Sequence, residues 1–188
     1  MVQDRAPVLK QAQSEVWSKD NPEALSSGRV RFVPHDFFNR NPIEGAEIYW
    51  LRYIIHDWAD DYCVRILAAI KASMGPTSRL LIWLVFLILG IEAIGKLMCV
   101  ENSDQVMNTT YGSQEQAPAP SLLPANWGYY TRYSHNRDLA MMTIINGIER
   151  KPTEFRALAE AAGLKLRKIW DCRSQVGIVE LVLPDSEL

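Results

Sequence analysis

The stretch "IYWLRYIIHDWADDY", Ile48 to Tyr62, decides the fold. Its first part is an apolar run of strand length, read as buried on both faces; after it, acidic residues open an amphipathic helix. A buried strand that runs into a helix is the building unit of an α/β protein, and ligands sit where such strands end. His56, Asp57 and Trp58 occupy that end. Two readings stand for them. In one, Asp57 caps the helix, His56 is a loop residue and Trp58 only staples the helix. In the other, His56 is a general base, because imidazole titrates near neutral pH and a nearby carboxylate can hold its tautomer.

Working outward, "DWADDYCVRILAAIKASMG" has helical spacing, with Cys63, Ile66, Leu67, Ile70 and Met74 as its core stripe and Gly75 as its stop. "SRLLI" begins the next strand. Upstream, "MVQD" ends a strand, "PVLKQAQSEVW" is a helix with Pro7 in its first turn, and Val30–Val33 is a strand. Downstream, "SQEQAPAPSLLP" is a Pro-rich loop, "RDLAMMTIIN" a short helix, and "PTEFRALAEAAG" a helix capped by Thr153 and stopped by Gly163. "LKLRKIWD" and "VGIVELVL" form a terminal hairpin. Strands alternating with helices, then a hairpin, predict an α/β fold: a mostly parallel sheet covered on both faces.

The chain has 188 residues, 48% apolar and 22% charged, with a net charge of −2, so it suits one domain and carries no bulk basicity for nucleic acid. Cys63, Cys99 and Cys172 fit neither a disulfide framework nor a zinc site, which points to reduced thiols in the cytoplasm. No metal cluster is read, and the first residues lack the apolar core of a signal peptide. Asp4 and Asp36 each follow a strand. An acid there binds a ribose diol or serves as a turn residue. Glu149, between two helical segments, reads by itself as a solvated loop carboxylate.

Taken in order, "VQD…P", "PHDFF", "YWLRYIIHDWADDYC" and "NGIERKPTEFRALAEAAGLKL" resemble the S-adenosylmethionine-dependent O-methyltransferases of the caffeic acid/flavonoid type. "LLPANWG" and "DLAMMTIINGIERKPTEF" are most similar to the fungal branch. The resemblance implies a partial class I methyltransferase (Rossmann-like) catalytic domain over residues 1–188, with S-adenosyl-L-methionine as cofactor. It also implies a small, hydroxylated, phenolic acceptor of secondary metabolism. His56 matches the base that deprotonates that hydroxyl, Asp104 an acid that braces the base, and Glu149 a second acid beside it. Asp4 matches the ribose ligand, Asp36 and Phe37 the adenine contacts. Arg52 replaces a cofactor-side Lys, with a different donor geometry. Asp57, Met141, Met142 and Asn146 match the acceptor side. Holding two reactants together supplies roughly 7–11 kcal/mol in favourable cases. A phenol, with a pKa near 10, is a modest task for an imidazole base, so no metal is required.

Three departures accompany the resemblance. The family's first strand and Gly-rich loop have no counterpart, and no G-x-G occurs. The helical domain through which the family forms homodimers is absent. Trp83–Ser103, "WLVFLILGIEAIGKLMCVENS", reads as an apolar insertion of non-homologous origin. Its apolar run, Leu80–Ile91, is shorter than the ~20 residues of a membrane span. Extending it to Val100 would bury Glu92 and Lys96 at roughly 2.5–3.5 kcal/mol each. A membrane anchor is therefore disfavoured. The expectation is an O-methyltransferase by lineage, inactive as this chain. The alternatives are a non-catalytic remnant or partner of a full-length relative, and a cyclisation catalyst that uses His56 without methyl transfer.

Overall fold

The computed structural model describes residues 1–85, 131–172 and 176–188. Strands β1 (Val2–Asp4) and β2 (Phe32–Pro34) pair in parallel. A parallel pair needs a crossover. Helix α1 (Ala6–Gln11), a π-helical stretch (Ala12–Trp17), α2 (Ser18–Asp20) and α3 (Pro22–Ser26) supply it. Pro7 sits in the first turn of α1, as expected. β2 starts at Phe32 rather than Val30, because the Val30 N–H is bound back to Ala24 O at 3.0 Å around the turn at Gly28.

A second sheet holds β3 (Ile48–Arg52), β4 (Arg79–Val85), β5 (Lys165–Asp171) and β6 (Val176–Val182), in the order β3-β4-β6-β5. β3 and β4 are parallel, joined by helix α4 (Asp60–Lys71). β6 lies antiparallel between β4 and β5, which makes the expected hairpin. Helix α5 (Thr131–Ile145) is longer than the short helix expected, and α6 (Pro152–Ala161) precedes β5.

The α/β class holds, but the single, mostly parallel sheet does not: the described strands form two sheets, one of them mixed. Nor is β3 buried on both faces. Alternation puts Tyr49, Leu80, Ile82, Val179 and Leu181 on one face of the four-stranded sheet. They pack there on Cys63, Ile66 and Leu67 of α4 and on Phe155, Leu158 and Ala159 of α6. On the other face Ile48 is 56% exposed and Trp50 48%. That face carries a shallow hollow lined by Ile48, Arg79, Leu81, Trp170, Ile178 and Glu180.

Two caps also differ from expectation. α4 begins at Asp60 with Ala59 at its N-cap, so Asp57 caps nothing. Residues Ile55–Asp57 form a 3₁₀ turn instead, which delays the helix and leaves the Asp57 carboxylate to other partners. α6 is entered at Lys151, because Pro152 suits the first helical position and the Glu154 carboxylate accepts the Lys151 N–H at 2.6 Å. Thr153 is thus inside the helix. Gly163, at φ +73, ends it as expected.

β4 continues through Trp83, Leu84 and Val85, opposite Ile178, Gly177 and Val176. The first three residues of the expected insertion therefore belong to the sheet, and residues 86–103 lie outside the described residues. So do the Pro-rich loop and Asp104. Among the described residues, no helix is long and apolar enough to cross a membrane.

Candidate active site

The ends of the parallel strands carry the site. β1 ends at Asp4, whose carbonyl oxygen accepts the His35 N–H at 2.9 Å and whose carboxylate accepts the Arg5 N–H at 2.7 Å. After β2, the Asp36 carboxylate folds its own loop by accepting the Phe38 N–H at 3.0 Å. That loop presents Phe37 and Phe38 edge-on to Trp58, at 5.8 and 4.9 Å between ring centroids. The turn after β2 thereby touches the turn after β3, which carries His56.

β3 ends abruptly at Tyr53, a non-glycine residue at φ +54. Its ring stacks on His56 at 5.6 Å and on Trp83 at 5.6 Å. The Arg52 guanidinium lies 4.3 Å above the Trp83 ring, and that of Arg137 lies 5.2 Å above Tyr53.

His56 is buried. Its Nδ1 lies 3.0 Å from Glu149 Oε1, and its Nε2 lies 3.3 Å from Asp57 Oδ1. In the tautomer with the proton on Nδ1, the ring donates to Glu149 Oε1 and Nε2 is left beside Asp57 Oδ1. Glu149 is 2% exposed, not solvated. Its Oε1 also accepts from Arg137 Nε at 2.9 Å, and its backbone N–H donates to Asp138 Oδ1 at 3.1 Å. Its Oε2 has no hydrogen-bond partner among the described residues. Burial raises the Asp57 pKa above the ordinary value of 3.8. The positive charge of a protonated His56 and that of Arg137 oppose the rise, while Glu149 adds to it. Burial also pushes the Cys63 thiol up to about 11.

Helix α5 closes on the same turn. Asn146, at φ +55, ends it, with its N–H on Met142 O at 3.2 Å. The Gly147 N–H then bonds Met141 O at 3.0 Å, and the Ile148 N–H bonds His56 O at 2.9 Å. A Cβ on Gly147 would collide with His56 O. Met142 is exposed at the end of α5.

The structure thus joins His56, Asp57 and Glu149 into one cluster and brings the Phe37 loop against its edge. The backbone bonds of Met141, Met142 and Asn146 lie within the end of α5 and Gly147, and it is Ile148 that joins this turn to His56. Arg137, Arg150, Tyr53 and Gly147 were not read from the sequence. A signal for the two arginines was present in their closeness to Asp138 and Glu149, but a charge beside a loop acid reads as a surface pair.

A family model described as an O-methyltransferase domain matches residues 1–165. The chain belongs to the O-methyltransferase domain family. O-methyltransferase tpcA of Aspergillus fumigatus is 58% identical over 98% of this chain and 34% of its own length. O-methyltransferase gedA of Aspergillus terreus is 50% identical over 99% of the chain, again 34% of its own length. The chain therefore spans about a third of the length of the curated relatives it matches. Among solved structures, the mitomycin 7-O-methyltransferase MmcR is similar at a TM-score of 0.63 and 26% identity, over 96% of this chain and 40% of that one.

Proposed function

We propose that these residues form the base-bearing part of a methyltransferase that methylates a hydroxyl of a small phenolic metabolite, with His56 as general base. The observation that carries this is the 3.0 Å contact between His56 Nδ1 and the buried Glu149 carboxylate. In this reading the ring proton sits on Nδ1, donated to Glu149, and Nε2, beside Asp57, is the atom that takes the acceptor's proton. When His56 gains that proton, the imidazolium lies between two carboxylates, Glu149 on one side and Asp57 on the other. The two carboxylates thus flank the positive charge that forms on the ring as the acceptor loses its proton.

The cofactor side fits S-adenosylmethionine in its chemistry. Asp4 offers an exposed carboxylate to a ribose diol, while Asp36, Phe37 and the aromatic edge at Trp58 suit adenine. Arg52, over the Trp83 and Tyr53 rings, takes its cofactor-side role from the family resemblance. Bound there, the cofactor supplies an electrophilic methyl group. The residues of this chain orient the acceptor and remove its proton. Met141, Met142 and Asn146 serve the acceptor side, and Asp104 is a further acid for the base. No G-x-G loop lies within the 188 residues, so this chain alone is expected to bind the cofactor weakly and to turn over little. Titration calorimetry that showed micromolar affinity would refute that. The cytoplasm is the proposed compartment.

The test is methyl transfer from labelled S-adenosylmethionine to a panel of phenols, by the natural polypeptide that carries these residues. His56→Asn is expected to lower kcat by about 10²–10⁴-fold, the range of general-base contributions. An undiminished rate in that variant would end the proposal. Conversion of an acceptor without the cofactor would favour cyclisation chemistry instead.

A further inference from the structure

His56 rides on a short 3₁₀ turn with no side-chain cap of its own. Such a turn has little intrinsic rigidity, and its carbonyl oxygens need donors. Arg150 supplies them. Nη1 donates to Ile55 O at 2.6 Å and Nη2 to Trp58 O at 2.7 Å, so the guanidinium grips the residue before His56 and the second residue after it. Cys63 Sγ reaches the same two oxygens, at 3.2 and 3.3 Å. The guanidinium is 2% exposed, and Asp60 Oδ1, at 2.7 Å from Nη2 and 3.0 Å from Nε, balances its charge. A buried cation is costly unless paired and fully hydrogen-bonded. Here the planar fork is paired with Asp60 and makes four hydrogen bonds while spanning the turn.

Arg150 also follows Glu149 directly. One tripeptide therefore holds the turn three ways: Ile148 N–H on His56 O, Glu149 on the His56 ring, and Arg150 on the flanking carbonyls. We propose that Arg150 is a positioning residue for His56, whose fork fixes the turn so that Nδ1 meets Glu149 and Nε2 is held beside Asp57, on the proposed acceptor side. This rests on His56 being the base.

The experiment reads the His56 Nδ1 proton by NMR, as its exchange rate with solvent in the intact chain. Amides of β6, such as those of Val179 and Leu181, report global opening in the same samples. Arg150→Lys keeps the charge and loses the fork. Asp60→Asn changes a residue 72% exposed at its side chain, so it leaves the core intact while releasing the guanidinium from its carboxylate. Arg150→Lys is expected to speed Nδ1–H exchange about tenfold, as the loss of one strong hydrogen bond does, and Asp60→Asn by less, with β6 amides unchanged. In methyl transfer, Arg150→Lys is expected to lower kcat at constant KM. Unchanged Nδ1–H exchange in Asp60→Asn, or acceleration matched by the β6 amides, overturns the proposal. If Arg150→Lys does not fold, Asp60→Asn decides. Exchange needs no turnover, so a failed base assignment, read from His56→Asn, remains distinguishable from a failed clamp.

Discussion

Asp57 is the residue at which proton balance and stability meet. Its folded pKa is raised, mainly by burial. An acid raised in this way contributes stability that is fully present below its ordinary pKa and lost as pH rises through the folded value. Asp57→Asn is therefore expected to raise the melting temperature at neutral pH, with the difference vanishing as pH falls below 3.8. A difference that grew toward acid would contradict this. His56 and Glu149 were legible because their motifs are distinctive. Burial of Glu149 was not, since it depends on Arg137 and on a histidine 93 residues away. Arg150 was invisible for the same reason. Its partners are carbonyl oxygens, which every residue possesses and no motif marks.

At the level of elements, periodicity located α4 well and misplaced its start. Asp57, Asp60 and Asp61 each suit a first turn, so composition could not choose among the three. The 3₁₀ turn chose, under the grip of Arg150 and Cys63. The turn after α5 is as tightly determined. Gly147→Ala would press a methyl group onto His56 O, at an expected cost of about 1–3 kcal/mol in urea unfolding. An unchanged midpoint would show that the turn yields. β4 supports a related prediction. A deletion of residues 83–103 removes the partners of Ile178, Gly177 and Val176, whereas a deletion of 86–103 spares them. The shorter deletion is expected to melt at a higher temperature than the longer and, if 86–103 is an insertion, to be more soluble than the full chain. Equal melting of the two deletions would dismiss a role for those three pairs.

Across the molecule, the alternation of strands and helices gave the α/β class but not the division into two sheets. Pairing between strands is set by partners far apart in sequence, and an apolar strand reads alike whether one face or two are covered. Ile48 and Trp50 illustrate this: chemically they are core residues, yet they face outward. The order β3-β4-β6-β5 has a further consequence, which concerns time. β5 is joined to the sheet only through β6, and β6 is made after it. On a growing chain, β5 emerges with Leu166, Ile169 and Trp170 and no strand to receive them. The β3–β4 pair likewise waits, one edge open, until β6 arrives. Assembly of the four-stranded sheet thus cannot follow the order of synthesis from one edge to the other. Its last-made strand is an inner one, and a nascent chain halted before Val176 would leave unmatched the two strand edges, of β4 and of β5, that β6 joins.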